Sequence, residues 1–137
     1  VWDGPLEAVR PAESVGPQKP APRVATACCV IGQALVIFGG ADQHCVAAQE
    51  SSTVFYRDLW TLQLVRTSSG SSKRQAQWTR LDFSSRLSPP KRAYAAMAAL
   101  DPRRALLHGG QARHGEYLSD LWMLTLDLPQ KTCVAEL

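Results

Sequence analysis

At 137 residues, with 45% hydrophobic side chains and a net charge of +3, the chain has the size and composition of one globular domain rather than a disordered segment. Its basic residues stand as isolated doublets, Lys73-Arg74, Lys91-Arg92 and Arg103-Arg104, without interleaved aromatics, which argues against a nucleic-acid footprint. No apolar run approaches the roughly eighteen residues that cross a bilayer as a helix, and no signal-peptide pattern opens the chain, so no membrane partner is expected.

The chain starts at Val1 rather than Met, and the expectation is a piece of a longer polypeptide. Four cysteines, Cys28, Cys29, Cys45 and Cys133, are too few and too irregular for a disulfide framework or a paired-cysteine zinc site; they read as small core fillers of a reduced protein. The chain has no Asn and so no N-glycosylation acceptor. These features fit an intracellular, cytoplasmic setting, with the nucleus as the alternative.

Residues 1–21 are rich in proline, including Pro5, Pro11, Pro17 and Pro20, and show no period; they read as a linker or as the end of a preceding unit anchored by Trp2. Residues 24–30 are small, apolar and β-branched, residues 31–34 supply a turn, and residues 35–38 form a continuous apolar run, which together predict a hairpin. Gly39-Gly40 ends it, at a backbone position that needs positive φ or has no room for a Cβ. Residues 41–57 are polar and irregular. Strand composition resumes over residues 59–65, with Trp60, Leu62 and Leu64 making one wholly apolar face. A Ser/Gly connection centred on residues 68–72 leads to a fourth short strand over residues 77–81, carrying Trp78.

After Pro89-Pro90 the pattern restarts. Residues 94–100, 105–108 and 121–126 match the first three strands, and residues 132–137 are expected to be a fourth, with Val134 in the place of Trp78. From Arg23 to Gly40 is 17 positions and from Arg92 to Gly110 is 18, whereas Gly40 to Asp58 is 18 and Gly110 to Asp120 only 10, so the two copies differ mainly in one surface loop.

Four short strands, Gly39-Gly40 after the second, Asp58-Leu59-Trp60 at the third and Trp78 on the fourth, then Gly109-Gly110 and Asp120-Leu121-Trp122, resemble the kelch repeat, the blade of one class of β-propeller. The resemblance implies an all-β fold of four-stranded antiparallel blades in an incomplete propeller: a first blade over residues 22–81, a connection over 82–91 and a second blade over 92–137. It departs from the family in three ways: Trp stands at 60 and 122 where Tyr is usual, the second copy lacks a final Trp, and the 69-residue offset exceeds the kelch period of about 50. Blades are apolar on both faces, and two of them leave two outer faces wet; further blades of a parent chain or self-association are expected to cover them.

The function the resemblance implies is a non-catalytic protein-interaction module, a scaffold or adaptor that presents rim loops to another protein. Carried to matching positions, it nominates Arg23, Arg92 and Tyr94, with His44, Arg113 and His114 from the loops over residues 42–57 and 111–117. The other reading of Arg23 and Arg92 is that they fix hydrogen bonds between blades. The alternative from another class is part of a kelch-propeller enzyme, of the copper-radical oxidase or iron-assisted specifier type; a copper site would need two histidines and tyrosines, and only His108 with Tyr94 hints at one. No catalytic residue, cofactor or metal is expected: His44-Cys45 reads as surface loop, and the repeated carboxylates Asp58 and Asp120 read as structural acceptors for backbone N–H groups.

Overall fold

The computed structural model describes residues 19–42, 53–66 and 74–137. Ten strands follow in chain order: β1 (Ala27–Ile31), β2 (Ala34–Phe38), β3 (Leu59–Arg66), β4 (Arg74–Phe83), β5 (Ala96–Ala99), β6 (Arg104–His108), β7 (Gln111–Arg113), β8 (Glu116–Tyr117), β9 (Leu121–Asp127) and β10 (Thr132–Glu136). The fold is all-β, with no helix among the described residues.

The first half, β1 to β4, is an antiparallel meander whose register is set by the two-residue turn at Gly32-Gln33 and by pairs such as Phe38 with Leu59 and Leu59 with Leu81. The second half repeats it as β5, β6, β9 and β10, with His108 facing Leu121 and Leu124 facing Ala135. Between β6 and β9 the shorter loop closes as the β7–β8 hairpin, a small sheet of its own where the sequence showed only a polar loop.

The two meanders join in one eight-stranded sheet of order β1-β2-β3-β4-β10-β9-β6-β5. The seam is a short parallel pairing of Thr132 and Cys133 with Asp82 and Phe83, extended by Ser84 N–H to the Cys133 carbonyl at 2.9 Å. It is parallel because β4 and β10 are equivalent strands of two like-oriented units. At the other end β1 and β5 approach each other, and Tyr94 N–H donates to the Ala25 carbonyl at 2.9 Å, so the sheet curls nearly closed, like a barrel.

The interior is one apolar core. Period-2 alternation sends Ala27, Val36, Phe38, Leu59 and Leu81 from the first half and Leu107, Trp122, Leu124, Leu126 and Cys133 from the second into it. Phe38 meets Phe83 edge-on at 6.2 Å. The apolar face of Trp60, Leu62 and Leu64 lies outside this core cluster: Trp60 is still buried, Leu62 is half-buried and Leu64 is 38% exposed. The expected match of Val134 to Trp78 is out by one residue. Trp78 faces Leu62 and Ala135 faces Leu124, so Ala135 is the equivalent, and Val134, on the opposite face, is 41% exposed.

Gly39 shows why the double glycine is needed. Its φ is +67°, and a Cβ there would collide with the Arg92 carbonyl oxygen of the other half and lie 3.2 Å from that of Tyr56. Gly39→Ala is expected to cost about 3 kcal/mol, from left-handed strain of about 1–2 kcal/mol and a displaced hydrogen bond between halves. Gly32→Ala, at φ +59° with open space around it, should lose only the strain. Urea denaturation of the two variants checks this; equal losses would mean that the junction tolerates the methyl group.

Candidate functional site

Residues 41–42 and 53–57, the β7–β8 hairpin and the segments that lead into β1 and β5 gather at one end of the sheet, and each half organises that end around one arginine. Arg92, with a fully buried side chain, lays its guanidinium along Asp120, with Nη1 to Oδ1 at 2.6 Å and Nη2 to Oδ2 at 2.7 Å. Its remaining donors reach the Gly109 carbonyl at 2.9 Å and the Pro90 carbonyl at 3.1 Å. Trp122 Nε1 also donates to Asp120 Oδ2, at 2.6 Å. The rigid donor fork of arginine is what lets one side chain tie these backbone and side-chain oxygens together.

The first half builds the same unit. Arg23 pairs through both terminal nitrogens with Asp58, donates to the Gly39 carbonyl at 3.0 Å and to the Ala21 carbonyl at 3.0 Å, and Trp60 Nε1 reaches Asp58 Oδ2 at 2.7 Å. Arg23 also stacks over the Tyr56 ring, 4.0 Å from its centroid, where the second half has Leu118. The carboxylates Asp58 and Asp120 thus take their strong hydrogen bonds from Arg and Trp side chains, where backbone donors were expected.

Both carboxyls titrate low. For Asp58, burial pushes the carboxyl up, but hydrogen bonds from Arg23 and Trp60 outweigh it and hold it below the usual range. The hydrogen bonds of Arg92 hold Asp120 down against the opposing effect of burial, with Trp122 adding to them.

Of the six residues nominated for a partner, Arg92 is sealed and Arg23 nearly so, with every guanidinium nitrogen engaged inside the chain. Tyr94 is 60% exposed, held in the left-handed region at φ +58°; Ala25, its equivalent in the first half, shares that strain at φ +55°. Arg113 and His114 are exposed on the β7–β8 hairpin, where Arg113 pairs with Glu116 at 2.6 Å. Tyr117, which the repeat pattern did not single out because the first half has no counterpart to this hairpin, is 80% exposed on it. His44 lies outside the described residues, as does Cys45.

His108 is exposed, and its Nδ1 is 3.0 Å from the Asp120 carbonyl oxygen. Cys133 is buried, which pushes its thiol up to about 12; Cys29 is half-buried and also raised by burial, while Cys28 is exposed. Among the described residues no three His, Cys, Asp or Glu side chains come together as a metal site.

No protein-family model matches the chain. It is 28% identical over 117 residues to the dynein alpha chain of the flagellar outer arm of Chlamydomonas reinhardtii. The match covers 85% of this chain and 2% of that protein, so the chain spans a small fraction of the relative's length.

Trp122→Phe keeps the ring but removes the donor to Asp120, and should cost about 1–3 kcal/mol in urea denaturation, as expected for a bond to a charged acceptor. Because both folded carboxyls titrate below their unfolded value of about 3.9, their contribution is whole above about pH 4 and is lost as the pH falls through the lowered folded values. Stability from these groups should therefore stay level between about pH 7 and 5 and drop below about pH 4, more shallowly in Asp120→Asn. An acid limb of the same steepness in that variant would remove Asp120 from the account.

Proposed function

We propose that this chain is a pair of kelch-type blades from a β-propeller, acting as a non-catalytic protein-interaction module within the cell. The observation that carries the reading is the twice-built unit of buried arginine, aspartate and tryptophan. It fixes the base of the loops at one end of both meanders and leaves Tyr94, Arg113, His114 and Tyr117 standing out from it. Exposed tyrosine and arginine on a rigid base are residue types that anchor protein interfaces, tyrosine through its amphipathic contact area and arginine through its planar donors. The partner is another protein.

Likeness to a segment of the dynein alpha chain of a flagellar outer arm supports a place in a flagellum. The test is capture from a flagellar extract with the chain as bait, comparing wild type with Tyr94→Ala and Tyr117→Ala. A partner retained by the wild type and reduced at least tenfold by either variant, with melting temperature unchanged, is the expected result, about 1.4 kcal/mol or more per side chain. Stoichiometric copper or iron in the purified protein would instead favour the enzyme alternative.

A further inference from the structure

The core of the molecule joins two unlike surfaces. In the first half the buried face carries Phe38, Leu59 and Leu81; in the second it carries Leu107, Trp122 and Leu124. With Gly39, Asp58 and Trp60 set against Gly109, Asp120 and Trp122, Leu59 corresponds to Leu121 and Leu62 to Leu124, so these are opposite faces of the repeat. Each half therefore turns outward the face that the other buries, although Trp60 on that face is itself buried. Leu59 is fully buried while its equivalent Leu121 is 52% exposed, and Leu126 is 3% exposed while its equivalent Leu64 is 38% exposed. A contact between unlike faces leaves one free mate at each end.

The backbone carries the same message independently. Three hydrogen bonds tie the loops of the two halves: Gly40 N–H to the Arg92 carbonyl at 2.8 Å, Arg92 N–H to the Tyr56 carbonyl at 3.1 Å, and Tyr94 N–H to the Ala25 carbonyl at 2.9 Å. Moved on by one repeat, these would join Gly110 N–H to the Arg23 carbonyl, Arg23 N–H to the Leu118 carbonyl, and Ala25 N–H to the Tyr94 carbonyl. Among the described residues none of those six groups has a hydrogen-bond partner. The space that the Arg92 carbonyl fills beside Gly39 is open beside Gly109, where a Cβ would meet only the Leu118 carbonyl at 3.2 Å. Donors and acceptors thus stand unused at the two ends in complementary order.

We propose that the occupant of both faces is a second copy of this chain, docked head to tail, with the open face of one copy's first half on the open face of the next copy's second half. The contact reuses the geometry already built between the halves. A closed ring of four to eight four-stranded units takes about two to four copies. The inference rests on the equivalence of the halves and the blade geometry, and is independent of which protein the rim loops bind.

Light scattering and sedimentation velocity on the 15.0 kDa chain should give an assembly whose mass is a whole multiple of it. Leu64→Glu blocks the first-half face and Leu121→Glu the second-half face, and each alone should weaken association at least tenfold. Mixed together, the two variants retain one intact face of each kind and should form a one-to-one heterodimer and nothing larger. Both positions are solvent-exposed, and circular dichroism verifies the fold; Val30→Glu and Val134→Glu, at 61% and 41% exposure, replace any variant that fails this check. A wild-type monomer at all concentrations, a single variant that still assembles, or a mixture that yields no heterodimer would each overturn the proposal. Loss of partner capture by Tyr94→Ala would not.

Discussion

The bidentate pairing of one buried arginine with one aspartate, made once in each half, is the constraint on which the rest of the molecule depends. Arg92 is fully buried, and a guanidinium removed from water is tolerable only when its donors are met. Asp120 meets it on one side, the carbonyls of Gly109 and Pro90 on the others, and Trp122 completes the carboxylate. One side chain therefore locates the strand that precedes the double glycine, the strand that follows the loop, and the segment that leads into β5.

The junction between halves runs through the same residue. The backbone of Arg92 accepts from Gly40 and donates to Tyr56, while its side chain holds the second half's own loops. Gly39 must lack a side chain because the Arg92 carbonyl occupies that space. Two positions along the chain, Tyr94 sits in the left-handed region, at a cost of about 1–2 kcal/mol, with its side chain exposed. The strain, the exposed aromatic and the junction thus lie within three residues of one another.

Much of this was legible in the residues. The period-2 runs, the Gly-Gly pairs and the repeated Asp-Leu-Trp located the strands of the eight-stranded sheet in the right chain order, because apolar alternation and glycine at positive φ leave direct marks in a sequence. The pairing of Arg23 with Asp58 and of Arg92 with Asp120 was not, since 35 and 28 residues separate the partners and only the folded register brings them together. The Val134 match slipped by one because a short tail without a large aromatic offers nothing to fix its register. The β7–β8 hairpin lay hidden in a polar loop, and the parallel seam of β10 on β4 is a tertiary contact with no local signal.

The most direct measurement is the unfolding free energy of Arg92→Met, which keeps the length of the side chain and removes its charge and donors. If the buried pair holds the junction, stability should fall by about 3–5 kcal/mol, the cost of stranding Asp120 together with the Gly109 and Pro90 carbonyls. A variant within about 0.5 kcal/mol of wild type would contradict the account, because that is the range of surface substitutions with no structural role.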